Sequence, residues 1–152
     1  MLEAKELFEM TLQVSTEKMI NIGALPHGGR RIVPISGGRF SGDRLNGRVL
    51  PGGADWVLVE PDGSFRIDVR LTLETDDSQS IYMQYDGLFY AEADVLERYY
   101  SGASISEDEY YLRTQARFET SASNYQWLNH IVSVGKGRKI DGGVSYQMYH
   151  VL

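Results

Sequence analysis

Two strings of polar residues have the side-chain types that acid–base chemistry needs. Arg66, Asp68, Arg70, Thr72 and Glu74 alternate with Phe65, Ile67, Val69, Leu71 and Leu73, and Tyr111, Arg113, Gln115, Arg117 and Glu119 alternate against Leu112, Ala116 and Phe118. A period of two places each string on one face of a β-strand. In the simpler reading that face is a solvated exterior laced with cross-strand ion pairs. In the other reading it faces inward, and Asp68, Arg70, Arg113 and Glu119 surround a cavity. Buried charges must be paired, which two acids and two arginines permit. A carboxylate of Asp68 or Glu119 lodged there would have the shifted pKa that proton transfer requires, with Arg70 or Arg113 to steady an enolate-like charge. Alternation alone leaves both readings open. Asp55 beside Trp56, Tyr85 on its own strand, and Trp127 near Asn129 pose the same choice between packed core and the aromatic, sparsely polar wall of a ligand pocket.

Other chemistries find little support. The chain has no cysteine, so disulfides, thiol catalysis and cysteine-bound metals are excluded. His27, His130 and His150 are scattered without a ligand-like spacing, and no metal is expected, although a hairpin of the last two strands would bring His130 toward His150. Gly37-Gly38-Arg39-Phe40-Ser41-Gly42 lacks the Lys-Ser/Thr ending of a phosphate loop, and no Gly-x-Ser-x-Gly elbow occurs. No cofactor is expected. A net charge of −6 opposes binding to nucleic acid and to acidic membranes. No eighteen-residue apolar run exists, and Met1 to Met10 carries three glutamates with no apolar run, unlike a signal peptide, so a cytoplasmic protein is expected.

The elements that must position these residues are strands. Phe8 to Val14 alternates as a first strand, and the glycine-dense stretch from Ile22 to Gly53 suits short, bent strands at Arg31 to Ile35 and Arg44 to Leu50. Asp55 to Glu60 and Phe65 to Glu74 flank the turn Pro61-Asp62-Gly63, the firmest local signal in the chain. Ile81 to Phe89 is another strand, with Ile81, Met83, Tyr85 and Phe89 on one side. The spacing of Val95, Leu96, Tyr99 and Tyr100 predicts a short helix within Ala91 to Tyr100, closed by Gly102, with a further helical turn near Ser106. Tyr110 to Glu119, Trp127 to Val134 and Val144 to Val151 read as long strands, the last two joined by the basic, glycine-rich segment Gly135 to Gly143, a solvated hairpin end whose cations could meet an anion. At 152 residues, with no repeat and no linker, a single domain over 1–152 is expected: an all-β, antiparallel barrel of about eight to nine strands with one short helix, or a two-sheet sandwich.

From Gly37 onward the sequence resembles the DUF3237 family, also called UPF0311. The carriers are Gly37-Gly38 with Ser41-Gly42, the run Gly47-Arg48-Val49-Leu50-Pro51-Gly52-Gly53-Ala54-Asp55-Trp56, then Gly63 leading to Asp68-Val69-Arg70. Tyr111-Leu112-Arg113, Phe118-Glu119-Thr120 and Tyr125-Gln126-Trp127-Leu128-Asn129 running into Val134-Gly135 follow in order. The resemblance implies a calycin-like barrel and an oligomer, but no established reaction. It also favours a role for Asp68, Arg70, Arg113 and Glu119. Asp76-Asp77-Ser78-Gln79 departs from the family's Asp-Gly turn.

Three functions follow from such a barrel. The first is a binding protein for a small organic molecule, its polar groups steadied by Arg70, Asn129 or Tyr85. The second is a cofactor-free isomerase, lyase or cyclase. The third is a filled barrel used only for assembly. An apolar cavity with a polar mouth marks the first, a cavity with a buried carboxylate the second, and a solid interior the third. Ten tyrosines and abundant alternating apolar surface predict self-association, to a dimer.

Overall fold

The computed structural model describes all 152 residues. Ten strands are present: β1 (Ala4–Val14), β2 (Ile20–Leu25), β3 (Gly28–Ser41), β4 (Asn46–Val49), β5 (Ala54–Val59), β6 (Phe65–Thr75), β7 (Ser80–Ala91), β8 (Tyr110–Glu119), β9 (Val132–Ile140) and β10 (Gly143–Val151). One helix, α1 (Ala93–Tyr100), follows β7, and short 3-10 segments cover Glu107–Glu109 and Ser123–His130. All strand pairings are antiparallel. They run β1-β10-β9-β8-β7-β6-β4-β3, and β1 pairs β3 to close an eight-stranded barrel. β5, like β4, pairs with both β3 and β6, and β2 hangs from β3 as an edge strand. No helix is long and apolar enough to cross a membrane.

The alternation in β6, β7 and β8 resolves in favour of the apolar face pointing inward. Ile67, Val69, Leu71 and Leu73 are buried, as are Ile81, Met83, Tyr85 and Phe89 on β7 and Leu112, Ala116 and Phe118 on β8. Each such side chain contributes about 1.5–3 kcal/mol when taken out of water, and no set of interior ion pairs could offset losing that. The polar strings lie outside, where Arg48 pairs with Glu74 at 2.9 Å, Arg66 with Glu60, and Arg117 with Gln84.

The β5–β6 hairpin forms as expected, with Val59 opposite Phe65 and Glu60 N–H donating to the Ser64 carbonyl. Helix α1 buries Val95 and Leu96, and Gly102 follows it at φ +90°. Ser106 and Glu109 make reciprocal capping bonds around the Glu107–Glu109 turn. Where the family resemblance implies a glycine turn, Ser78 occupies the left-handed position at φ 64°. Asp77 braces that turn, accepting from Thr75, Asn124 and Tyr125.

Two expectations need correction. The segment from Ile22 to Gly53 is not a set of short pieces, since β3 runs fourteen residues and changes partners along its length. Its first half pairs β2 and β5, its second half β1 and β4. Nor is Trp127 to Val134 a strand. Trp127 and Asn129 sit in the 3-10 segment, whose Leu128 is fully buried, and the strand begins at Val132 and runs through the glycine-rich stretch. Gly135 and Gly137 face inward there because a side chain would collide with Thr114 and Met148 in one case and with Leu112 and Tyr146 in the other. The last two strands do form a hairpin, but His150 meets Ser133, and His130 lies before β9.

Candidate active site

The core divides the barrel unequally. Phe8, Met10, Phe40, Leu73, Ile81 and Phe118 pack the half near the Ser123–His130 segment, with rings of Phe8 and Phe40 5.5 Å apart and those of Phe8 and Phe118 6.1 Å apart. The other half, toward α1, contains a cavity of about 200 Å³. Its floor is buried: Leu12, Ile35, Val57, Val69, Tyr85 and Tyr146. Its mouth is formed by half-buried residues, among them Val33, Phe65, Tyr99 and Val144, and by two charged groups, Asp55 of β5 and Lys139 of β9.

Asp55 reaches this position because β5 alternates inward at Asp55 and Val57. Ala54 and Asp55 pair with Arg70 and Val69, and pairing resumes only at Leu58 with Arg66. Within that gap Asp55 Oδ1 accepts the backbone N–H of Asp68 at 3.0 Å. The carboxyl thus serves a backbone donor that the ladder leaves free. Burial pushes the Asp55 pKa up to about 6, against the lowering effects of the Asp68 N–H bond, Lys139 and Arg30, with the Asp68 charge adding to the rise. Such a group is half ionised near pH 6 and keeps roughly a tenth of its neutral form at pH 7, so that one carboxyl can both accept and return a proton.

Lys139 is fixed by its backbone, whose N–H donates to the Tyr110 hydroxyl at 2.8 Å, and by its place opposite Val144. Its Nζ lies 4.7 Å from the Phe89 ring centroid, 5.3 Å from Phe65 and 5.7 Å from Tyr99. It joins none of the molecule's four ion pairs. Burial lowers its pKa and the Asp55 charge opposes that change. Tyr85 and Tyr146 meet edge-on on the floor, ring centroids 5.3 Å apart. Burial raises the pKa of both, and the charge of Asp55 adds to this, so both hydroxyls keep their protons and can donate.

Of the residues named from sequence, Asp55 and Tyr85 line the cavity and the others do not. Trp56 points out of the barrel beneath Arg70, whose guanidinium lies 5.9 Å from the indole. Arg70 is exposed. Asp68 stands on the outer face opposite Asp86, half-buried, with Oδ1 lacking a partner. Arg113 donates to its neighbour's carbonyl, Leu112, and stacks 4.8 Å from the Tyr111 centroid. Glu119 is exposed at the end of β8. Trp127 stacks under Arg44 at 3.7 Å, and Asn129 braces Thr120 through both its N–H and its carbonyl. Those last two belong to the far end of the barrel. The expected ring of Asp68, Arg70, Arg113 and Glu119 around an interior is therefore absent, because the apolar alternate face claims the inside.

Arg113 does border a larger concavity, about 610 Å³, on the outside of β7, β8 and β9, with Arg66, Asp86 and Lys136. Its polar groups stand at a water-facing surface, where charge–charge interactions are screened and worth little. The smaller interior cavity brings together four groups whose protonation is displaced chiefly by burial, Asp55, Tyr85, Lys139 and Tyr146.

The sequence reading missed Lys139 and Tyr146. Lys139 is one of three cations in a stretch whose sequence reads as a solvated hairpin end, and only its shared parity with Gly135 and Gly137 separates it from the exposed Lys136 and Arg138.

A family model described as "Protein of unknown function (DUF3237)" matches residues 3–151. A UPF0311 protein of Clostridium acetobutylicum is 38% identical over 129 residues, covering 84% of this chain and 80% of that protein. The crystal structure of a conserved protein of unknown function from Rhodopseudomonas palustris superposes with a TM-score of 0.92 at 32% identity, over 100% of this chain and 99% of that one. An enzyme from Penicillium herquei shares the fold at 17% identity, with a TM-score of 0.74 over 99% and 95% of the two chains.

Proposed function

We infer that this chain, which belongs to the DUF3237 family, binds a small, largely apolar organic molecule inside its barrel and moves a proton on it through Asp55. The observation that carries the reading is a carboxyl, its pKa pushed up to about 6 by burial, at the mouth of a mostly apolar cavity whose other polar groups are Lys139 and the Tyr85 and Tyr146 hydroxyls. Size favours a compact ligand. An apolar cavity of about 150 Å³ stays dry and takes benzene, while sites for drug-sized ligands begin near 300 Å³. At about 200 Å³, the cavity suits one ring with a short polar substituent. The ring would lie against Val57, Val69 and Leu112, and the substituent would point to Asp55.

The same carboxyl favours a cofactor-free isomerase, lyase or cyclase over a passive carrier. Ionised Asp55 takes a proton from an acidic O–H or C–H. The Tyr85 and Tyr146 hydroxyls donate to an oxygen on which negative charge develops, and neutral Asp55 returns the proton at another atom. The distant barrel enzyme from Penicillium herquei supports only the statement that this architecture can house an enzyme.

Native mass spectrometry of the purified protein with a metabolite extract tests the reading. A retained small molecule that is lost from Val57→Phe, which fills the cavity, is the expected result. Retention undiminished in that variant would place the ligand elsewhere and overturn the interior site.

A further inference from the structure

We propose that Lys139 is a covalent handle for carbonyl compounds: its side-chain amine forms an imine with an aldehyde or ketone that enters the barrel cavity. The inference rests on the cavity being a small-molecule site, and it adds the substrate class and a covalent step.

Three observations support it. Nζ is on the cavity wall and takes part in no ion pair, so no carboxylate contact holds it as an ammonium. Phe65, Phe89 and Tyr99 surround it at 4.7 to 5.7 Å, an arrangement that stabilises a cationic nitrogen and therefore suits an iminium as well as an ammonium. Asp55 and the two tyrosine hydroxyls share the same cavity and can supply and receive protons. Burial independently favours the neutral amine, which is the nucleophile.

The step balances without an added reagent. The neutral amine adds to the carbonyl carbon, forming a C–N bond, and one N–H proton passes to the oxygen to give a carbinolamine. Protonated Asp55 then donates to that hydroxyl, which leaves as water as the C=N bond forms. The remaining N–H proton restores Asp55. Amine and carbonyl are converted to imine and water, with no change of oxidation state. In the iminium form, the C–H next to the former carbonyl becomes acidic. Asp55 is the base available to remove it, which links the amine to the proton transfer proposed above.

The four lysines of the chain, Lys5, Lys18, Lys136 and Lys139, allow a direct test. The whole protein is incubated with benzaldehyde and sodium cyanoborohydride, which reduces an imine to a stable amine, and adducts are located by intact mass and peptide mapping. Burial lowers the Lys139 pKa and so enlarges its neutral, nucleophilic fraction, and the cavity holds the aldehyde beside it, so adduct should accumulate at Lys139 ahead of the other three lysines. It should vanish in Lys139→Arg, which keeps the charge but cannot form the imine. Adduct confined to Lys5, Lys18 and Lys136, or equal at all four, overturns the proposal. Benzyl alcohol, the same ring without the carbonyl, separates the two levels. If it raises the melting temperature of the wild type while Lys139 stays unmodified, the imine fails and the cavity reading stands. If neither compound binds, both fail.

Discussion

The displaced carboxyl makes a quantitative demand on stability. Asp55 has a pKa of about 6 in the folded protein and an ordinary value of 3.8 in the unfolded chain. Between those values the native state holds more protons than the unfolded one, so stability falls as pH rises through this window and levels off above it. At about 1.4 kcal/mol per unit, the full effect is about 3 kcal/mol, of which roughly 2.5 kcal/mol develops between pH 4 and pH 8. The groups facing Asp55 are already inside that figure: Lys139 and Arg30 and the Asp68 N–H favour its charge, the Asp68 carboxylate opposes it, and burial outweighs the favourable set.

Asp55→Asn removes the titration and keeps an oxygen that can accept the Asp68 N–H. The variant should therefore gain on the wild type as pH rises. Melting measured on both proteins at pH 4, 5, 6, 7 and 8 reads this as a difference of differences, in which every other titrating group cancels to first order. For a domain of this size each kcal/mol moves the midpoint by about 2–4 °C, so the variant's advantage should grow by roughly 5–10 °C between pH 4 and pH 8, with half-growth near pH 5. An offset between the two proteins that is constant over that range would refute the buried-carboxyl account, and with it the case for Asp55 as the proton carrier. Turnover should also be lost in Asp55→Asn once a substrate is found.

Lys139 carries the opposite sign: with its pKa lowered in the fold, the native state holds fewer protons just below the ordinary lysine range, and stability rises with pH there. Lys139→Met should abolish that alkaline gain and be the more stable protein at pH 7, as thermal melts at pH 7 and pH 10 would reveal. Arg70→Ala, on an exposed outer face, should cost on the order of 1 kcal/mol or less and leave ligand retention intact; a loss of several kcal/mol in a denaturant titration would contradict its placement. Self-association should run through the unpaired edge of β2, where Ile20 and Ile22 are 54% and 56% exposed. Ile22→Lys should then sediment as a smaller species than the wild type, and identical sedimentation would move the interface elsewhere.

How far these residues could be read from sequence depended on whether the inside of the barrel announced itself locally. On β6, β7 and β8 it did: large apolar residues recur at every second position, and their burial fixed which face was inner, contrary to the reading that put the charges within. Asp55 is singled out in the sequence by its place beside Trp56 in the run that carries the family resemblance, and the structure puts it on the inner face with Val57. On β9 the signal reversed. Its inward residues are Ser133, Gly135, Gly137 and Lys139, while Val132 and Val134 point outward at 62% and 38% exposure, so apolar parity assigns the wrong face. The inward positions are small because the space is taken by Met148 and Tyr146 of β10 and by Leu112 and Thr114 of β8. That information lies in neighbouring strands and in their register, which no window along β9 contains. Lys139 follows two glycines because the crowding ends where the cavity begins: a side chain at Gly137 would strike Leu112 and Tyr146, whereas two residues on the barrel has room for the longest flexible side chain in the set. The same change from crowded to open that hid the lysine from the sequence is what gives it a cavity to work in.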